Sequence, residues 1–295
     1  MKLRVMLLVF LVSFRTNNSS NLGTLKPFPR NRDVMEDILI GTSGFYYNDW
    51  KGSFYPEDLP SREYLSYYAG QFRALELNFS YYKIPDSRQS RQMLEKSGSR
   101  LQFTIKAFRQ LTHEISEKSI DEVLPLFMKG ISPFAEAGCL GVILLQFPQS
   151  FHYTPENRYY LKSLIDALSQ FPVAVEFRQR EWLRESVYKR LEDMRVAFVC
   201  VDEPSLPSLM PPTVINTSDT GYIRFHGRNK KEWYGTDSRT RYDYKYSEDE
   251  LMEWAPKVRA LADNTNKLFV FFNNHAKAQA VTNARMLINL LGMEV

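Results

Sequence analysis

Cysteine and histidine are scarce in this sequence. Only two cysteines, Cys139 and Cys200, and four histidines occur among the 295 residues. Two cysteines are too few for a disulfide framework, and each lies in or beside an apolar run. The histidines lack the spacing of a zinc site, so no metal site is predicted. We therefore expect buried thiols and a cytoplasmic protein, while the sequence assigns no cofactor and no oligomeric state.

A membrane-spanning run and a dominant charge are also missing. Near the amino terminus, the apolar residues 5–14 are too few to cross a bilayer, so no membrane association is predicted. The formal net charge is only +4, from 38 basic and 34 acidic residues. That balance is compatible with an anionic ligand but does not by itself indicate nucleic acid.

The first 34 residues are interpreted as an extension outside the folded domain. Lys2 and Arg4 precede the apolar stretch as in a signal peptide, but no small-residue cleavage site follows it. We predict that residues 1–34 are disordered or arise from a start codon assigned too early. The folded domain then spans residues 35–295 and begins near Met35, with secretion or targeting as the minority alternative.

Eight apolar runs of strand length alternate with helix-length segments. The runs cover residues 38–43, 74–79, 101–106, 140–146, 173–178, 196–202, 222–226 and 268–273. Strands that alternate with helices favour a parallel sheet with right-handed crossovers. Eight such units predict an α/β fold with one domain, a closed (β/α)8 TIM barrel, whose site lies at the carboxyl ends of the strands. Helix starts are expected at Pro155 and after Ser247.

The alternation of side chains along each strand predicts which residues enter the barrel. In the fifth run Val173, Val175 and Phe177 would face the helices, which leaves Glu176 and Arg178 inside. Extended to the other runs, the rule turns Cys200 inward and places charged side chains together at one mouth: Glu76, Lys106, Glu176, Arg178, Asp202, Arg224 and His226. These residues would form either a satisfied ion-pair network or a preorganised polar pocket, and we favour the pocket.

The loop after the first strand is rich in glycine and aromatic residues. Its sequence over residues 41–50 is GTSGFYYNDW, and Tyr46 and Trp50 are candidates for stacking against a ligand. The alternative is a hydrophobic plug that closes the barrel, which is the more frequent role for any single aromatic residue.

At this loop the chain resembles the YecE-like family, also called domain of unknown function 72. The resemblance continues at residues 76–82 (ELNFSYY), 103–107 (FTIKA), 145–148 (LQFP) and 175–178 (VEFR). Further matches are residues 222–229 (YIRFHGRN), 233–234 (WY), 241–244 (RYDY) and 271–275 (FFNNH). It implies a TIM barrel without an established activity, and it supplies no catalytic residues to carry over.

Two strand ends suggest an anion site. Arg224, His226, Gly227 and Arg228 follow one another at the seventh strand, where many barrels bind phosphate. The alternative is that Arg224 pairs with a buried glutamate and that Arg228 is a solvated loop charge. Further candidates at the eighth strand end are Asn273, Asn274 and His275. His275 would act as an acid or base, or equally would cap the last helix.

The favoured function is the binding or processing of a phosphorylated or nucleotide-like small anion. Glu76 or Glu176 would be the base and His226 or His275 the acid. The ligand-binding groups would be Lys106, Arg178, Arg224 and Arg228. A nucleic-acid-binding protein or nuclease and a non-enzymatic scaffold remain alternatives. A glycosidase is disfavoured. A resemblance to the retaining barrel glycosidases would require acids after the fourth and seventh strands, where this chain has Gln146 and Arg224 with His226.

Overall fold

Eight parallel strands close into a barrel in the order of the chain. The computed structural model describes residues 37–235 and 238–294, and the predictions for residues 1–34 and for Met35 lie outside them. The strands are β1 (Ile38–Ser43), β2 (Ala74–Leu77), β3 (Gln102–Lys106), β4 (Leu140–Gln146), β5 (Val173–Glu176), β6 (Ala197–Asp202), β7 (Thr220–Phe225) and β8 (Lys267–Phe272). Each pairs with the next, and β8 pairs with β1. The predicted (β/α)8 barrel is therefore confirmed.

Helices follow most of the strands. They are α1 (Tyr64–Tyr68), α2 (Ser87–Ser97), α3 (Leu124–Glu136), α4 (Pro155–Ala167), α5 (Glu185–Asp193), α6 (Ser238–Arg241), α7 (Glu248–Met252), α8 (Ala255–Ala262) and α9 (Gln279–Leu291). The proline-rich residues 203–219 join β6 to β7 without a helix. None of the described helices is long and apolar enough to cross a membrane.

Both predicted helix starts are present. Pro155 occupies the first turn of α4, where its missing N–H costs no hydrogen bond, and the Thr154 hydroxyl accepts from the Asn157 amide. At α7, the Ser247 hydroxyl accepts from the Glu250 amide while the Glu250 carboxylate accepts from the Ser247 amide. These local bonds fix where the helices begin and therefore where the loops at the barrel mouth end.

Aromatic side chains fill the barrel interior. Phe269 and Phe271 of β8 lie 6.1 and 5.5 Å from the ring of Tyr222 on β7. The register of β3 against β4 shifts at Gly141, where a Cβ atom would lie 2.6 Å from the Phe269 ring. Glycine is required there because the phenyl ring occupies the space of a side chain. These side chains fill the space between the strands below the mouth of the barrel.

Asp202 and Cys200 depart from the predicted alternation. Asp202 Oδ2 accepts from Trp254 Nε1 at 2.7 Å, and Trp254 lies between α7 and α8, outside the barrel. Cys200 lies on the same face, and its Sγ is 3.5 Å from the carbonyl oxygen of Ile215. The prediction that both point inward was wrong, because β6 is apolar on both faces and ends in two consecutive acids. Both cysteines are buried free thiols, as predicted.

Candidate functional site

Five charged side chains form a continuous buried layer at the carboxyl ends of the strands. This charged layer consists of Glu76, Arg224, Glu176, Arg178 and Glu203. Arg224 bridges two carboxylates, with Nη2 2.5 Å from Glu76 Oε1 and Nη1 2.7 Å from Glu176 Oε2. Arg178 does the same, with Nε 2.5 Å from Glu176 Oε1 and Nη1 2.9 Å from Glu203 Oε2. Positive and negative groups therefore alternate across the mouth.

Neutral donors complete the layer. The second oxygen of Glu76 accepts from the Tyr222 hydroxyl at 2.8 Å, and that hydroxyl is 2.9 Å from Thr104 Oγ1. The second oxygen of Glu203 accepts from the Met210 amide at 2.8 Å. Buried carboxylates are stable only when such partners replace water. In this layer, each carboxylate oxygen faces a donor or a cation.

These contacts bear on the expected catalytic roles of Glu76 and Glu176. Both side chains are fully buried beneath the arginines. Burial acts to raise the pKa of Glu176, but Arg178 and Arg224 outweigh it and hold that pKa well below its ordinary range. A carboxylate so strongly stabilised is a weak base. Glu76 and Glu176 both lie under the cavity, in contact with arginines that line it.

His226 also lies beneath the site. Its Nε2 is 3.0 Å from Arg178 Nη2 and 3.3 Å from Glu176 Oε1, and its Nδ1 is 3.2 Å from Asn273 Nδ2. Burial, and then the positive charge of Arg178, lower the pKa of His226 to about 3. A neutral, fully buried imidazole orients Arg178 and Asn273 and is a poor general acid near pH 7.

A cavity of about 570 Å³ lies above the charged layer. None of its described lining residues is an acid. Four of the side chains that line it are cationic: Lys106, Arg178, Arg224 and Arg241. The lining also contains six aromatic side chains: Tyr47, Tyr81, Tyr82, Trp233, Tyr234 and Tyr242. The carboxylates therefore lie below the cavity, while cations and aromatic rings face it.

Lys106 differs from the two buried arginines. Its Nζ lies 4.4 Å from the centroid of the Tyr81 ring and forms no ion pair with any described carboxylate. Burial, and then the charge of Arg224, lower the pKa of Lys106 to about 7, although Glu176 acts in the opposite direction. Lys106 is thus an ammonium or a neutral amine that has no anionic partner among the described residues.

Arg228 and Gly227 do not form the expected anion clamp. Arg228 points away from the cavity and binds the Asp202 carboxylate through Nε at 2.9 Å and Nη2 at 2.8 Å. Its Nη1 is also 3.2 Å from Glu250 Oε1. The Gly227 amide donates to the Tyr246 hydroxyl at 2.8 Å. The alternative is therefore right for Arg224, which pairs with buried glutamates, and wrong for Arg228, which is bound to Asp202 instead of solvated.

Tyr46 and Trp50 lie outside the cavity. Trp50 is fully buried and its Nε1 donates to the His275 carbonyl oxygen at 2.6 Å, so it acts as the plug. Tyr46 is 57% exposed and packs beside Tyr64, with ring centroids 5.7 Å apart. The aromatic residue of this loop that reaches the cavity is Tyr47.

Of the three residues after β8, two reach the cavity. Asn273 and His275 line it, and burial lowers the pKa of His275. Asn274 turns away, and its Nδ2 donates to the Tyr244 carbonyl oxygen at 2.7 Å and to Asn283 Oδ1 at 2.9 Å. Asn274 thus holds the loops together rather than contacting a ligand.

Several residues at the site were not predicted from the sequence. Glu203 closes the charged layer, and the alternation of β6 would have identified it if Val199 and Val201 had been placed inside. Tyr81 and Tyr242 lie in the segments after β2 and β7, and Arg241 ends the four-residue helix α6, so no periodicity indicates the direction of these side chains. No group of three or more His, Cys, Asp or Glu side chains that could hold a metal ion occurs within the described ranges.

Known proteins resemble this chain over most of its length. A curated relative, the UPF0759 protein YunF of Bacillus subtilis, is 31% identical over 273 residues, which cover 87% of this chain and 95% of the relative. A DUF72 family crystal structure from Thermotoga maritima is 40% identical with a TM-score of 0.80, over 86% of this chain and 99% of that chain.

A more distant solved structure shares the fold. It is a DUF72 family protein from Enterococcus faecalis, 24% identical with a TM-score of 0.77, and it covers 88% of this chain and 96% of that chain. The family described as "Protein of unknown function DUF72" matches residues 39–295. The chain therefore belongs to the DUF72 family.

Proposed function

We propose that this protein binds a small phosphorylated or nucleotide-like anion in the cavity at the barrel mouth. The observation that carries the proposal is the distribution of charge: four cations and no acid line the described cavity wall. Lys106 in addition has no ion-pair partner among the described residues. An anion would supply that partner beside partly buried cations, where the attraction is stronger than in bulk solvent.

The four cations contribute unequally. Arg178 and Arg224 are already neutralised by the glutamates below them. Lys106 and Arg241 are not paired with the charged layer. Arg241 Nη2 donates to the Gly235 carbonyl oxygen at 2.9 Å, while its buried Nε has no hydrogen-bond partner among the residues that the structure describes. We therefore assign the anionic group of the ligand to Lys106 and Arg241, in place of Arg224 and Arg228.

The aromatic wall selects the remainder of the ligand. Tyr47 and Tyr242 lie near His275, with ring centroids 4.7 and 6.0 Å from the imidazole, while Tyr81 lies beneath Lys106. Flat side chains of this kind favour a ring, such as a base or a sugar, over an extended chain. A mononucleotide or sugar phosphate combines the anion and the ring that the two parts of the wall would bind.

Calorimetry with matched charged and uncharged compounds tests the proposal. Adenosine 5′-monophosphate is compared with adenosine, and ribose 5-phosphate with ribose. We expect binding only with the phosphate present, weakened roughly tenfold or more in Lys106→Met, because one charge-assisted hydrogen bond contributes about 1.5–3 kcal/mol. The control is Lys129→Met, which removes an exposed lysine of α3.

The same titrations separate the alternatives. Tighter binding of a single-stranded oligonucleotide than of the mononucleotide would favour nucleic acid as the partner. Equal affinity of the charged and uncharged compounds, or equal loss in both lysine variants, would contradict the assignment of the anion to Lys106.

A further inference from the structure

Lys106 has the surroundings of a reactive amine. It ends β3 with its side chain in the cavity, and Nζ rests on the face of the Tyr81 ring at 4.4 Å from the centroid. The carboxylates of Glu76 and Glu176 are each held by Arg224, so neither forms an ion pair with Lys106. Lysines that form Schiff bases in enzymes are desolvated or lie beside other cations, and Lys106, half-buried and next to Arg224 and Arg178, has such surroundings.

We propose that Lys106 forms an imine with an aldehyde or ketone group of the bound anion. This inference rests on the proposed function, since it concerns the same cavity, and it specifies the substrate class as an anionic carbonyl compound. Arg241 then remains to hold the anionic group while Lys106 reacts. Ring-bearing carbonyl compounds would in addition contact the aromatic wall.

The reaction balances without any further reagent. The amine nitrogen attacks the carbonyl carbon, a C–N bond forms, and the carbonyl π pair moves to the oxygen. One N–H proton passes to that oxygen and gives a carbinolamine. The C–O bond then breaks as the nitrogen lone pair forms the C=N bond, and the second N–H proton leaves with the oxygen as water. Nothing is oxidised or reduced in these steps.

The balance around Lys106 favours its unprotonated form. Burial disfavours the ammonium most and Arg224 and Arg178 repel it, while Glu176, Glu76 and the face of the Tyr81 ring attract it, and His113 is neutral. The resulting pKa of about 7 leaves about half of Lys106 as amine at neutral pH. A solvated lysine is an amine in only about one molecule in a thousand at that pH.

Pyridoxal 5′-phosphate and 5-deoxypyridoxal are suitable probes, because the second lacks the phosphate and, without a 5′-hydroxyl, keeps its aldehyde open as the first does. The native protein is incubated with each, reduced with borohydride, and mapped by peptide mass spectrometry. We expect Lys106 to be the main labelled residue, with about tenfold more label from the phosphorylated probe. Lys129, which is exposed, serves as the internal reference and should be labelled equally by both.

The pH dependence gives a second readout that a structural lysine would not show. Between pH 7 and 9 the labelling rate of Lys129 should rise roughly tenfold per pH unit, because an exposed lysine is far below its pKa. The rate of Lys106 should rise about twofold and then level off. Parallel profiles for the two lysines would overturn the proposal.

Pyridoxine 5′-phosphate separates this inference from the proposed function, since it keeps the ring and phosphate but has no aldehyde. If calorimetry shows that it binds and Lys106 stays unlabelled by pyridoxal 5′-phosphate, the imine is refuted while anion binding stands. If Lys106 is labelled equally by both aldehydes, the imine stands and the anion assignment falls. Lys106→Arg, which retains the cation, should bind pyridoxine 5′-phosphate but give no imine absorbance with the aldehyde.

Discussion

The guanidinium of Arg178 lies 2.9 Å from the carboxylate of Glu203 and ties the end of β5 to the end of β6. Glu203 also holds the Met210 amide, so the same carboxylate fixes the proline-rich segment that follows β6. Burial raises the pKa of Glu203 to about 7, although Arg178 acts to lower it. Glu203 therefore connects two strand ends and a loop, and its protonation state affects these contacts.

Glu203→Gln should change how stability depends on pH. The folded pKa of about 7 exceeds the unfolded value near 4.5, so the folded state holds the proton more tightly between these values. The contribution of Glu203 to stability is thus present below pH 4.5 and is lost as the pH rises through 7, by up to about 3 kcal/mol. Thermal unfolding at pH 5, 6, 7 and 8 should show a smaller decline in Tm for the variant.

Glu136→Gln, at an exposed position of α3, is the control for that measurement and should follow the unmodified protein. An unchanged slope in Glu203→Gln would mean that Glu203 is ionised throughout this pH range.

Removing only an arginine from the charged layer should lower the free energy of unfolding more than removing the arginine together with one of its glutamates. Arg224→Met leaves Glu76 and Glu176 without their shared cation and should lower the free energy of unfolding by about 3–5 kcal/mol. Adding Glu76→Gln should recover part of that loss, because one uncompensated buried charge is removed. Urea unfolding of the two single variants and the double variant measures the coupling.

The exposed pair Lys189–Asp193, with an Nζ–Oδ1 distance of 2.7 Å, provides the comparison. The same cycle there should give a coupling below about 1 kcal/mol. Equal coupling at the two sites would show that the mouth is far wetter than its burial indicates.

Arg228→Ala should leave ligand affinity within about twofold of the unmodified protein, while Arg241→Ala should weaken it. Arg228 binds Asp202, Glu250 and Glu253 outside the barrel, so its loss affects stability by about 1–3 kcal/mol and not the cavity. Calorimetry with adenosine 5′-monophosphate and thermal unfolding measure the two effects separately. If binding disappears in Arg228→Ala but persists in Arg241→Ala, the outward assignment of Arg228 fails.

Binding of an anion at pH 8 should take up protons. Lys106, with a pKa of about 7, is mostly neutral at pH 8, and a bound phosphate stabilises its charged form. Titrations in two buffers with different heats of ionisation should therefore give different apparent enthalpies, corresponding to at most about one proton per ligand. Lys106→Met should abolish the difference, whereas identical enthalpies for the unmodified protein would show that Lys106 does not meet the anion.

The strands and most of the charged layer were predictable because alternation along a strand is a strong signal when one face is apolar. Val173, Val175 and Phe177 fix the face of β5 and thereby place Glu176 and Arg178. β6 gives no such signal, since both of its faces are apolar. Asp202 was therefore predicted to point into the barrel, where Glu203 is found instead. Arg228 was predicted to face the cavity for the same reason, although its bond to Asp202 directs it outward.

The cavity wall was less predictable for a different reason. Tyr81, Arg241 and Tyr242 belong to the segments that connect strands to the main helices, and the path of these segments depends on distant contacts, such as the bond from Lys277 Nζ to Asp243 Oδ2 at 3.0 Å. Lys106 was identified as a site residue. It has no ion-pair partner among the described residues because Arg224 binds both Glu76 and Glu176. A sequence pattern identifies the charges and does not show which pairs they form.

The position of a heavy oxyanion in a crystal shows directly whether the mouth cavity binds anions. Tungstate resembles phosphate in shape and charge, and its anomalous scattering marks its position. The account predicts a tungstate site inside the mouth cavity, within hydrogen-bond distance of Lys106 Nζ and near Arg241, that is lost in Lys106→Met and retained in Lys129→Met. Tungstate found only on the outer surface or beside Arg228 and Gly227, with the cavity empty at saturating concentration, would contradict it.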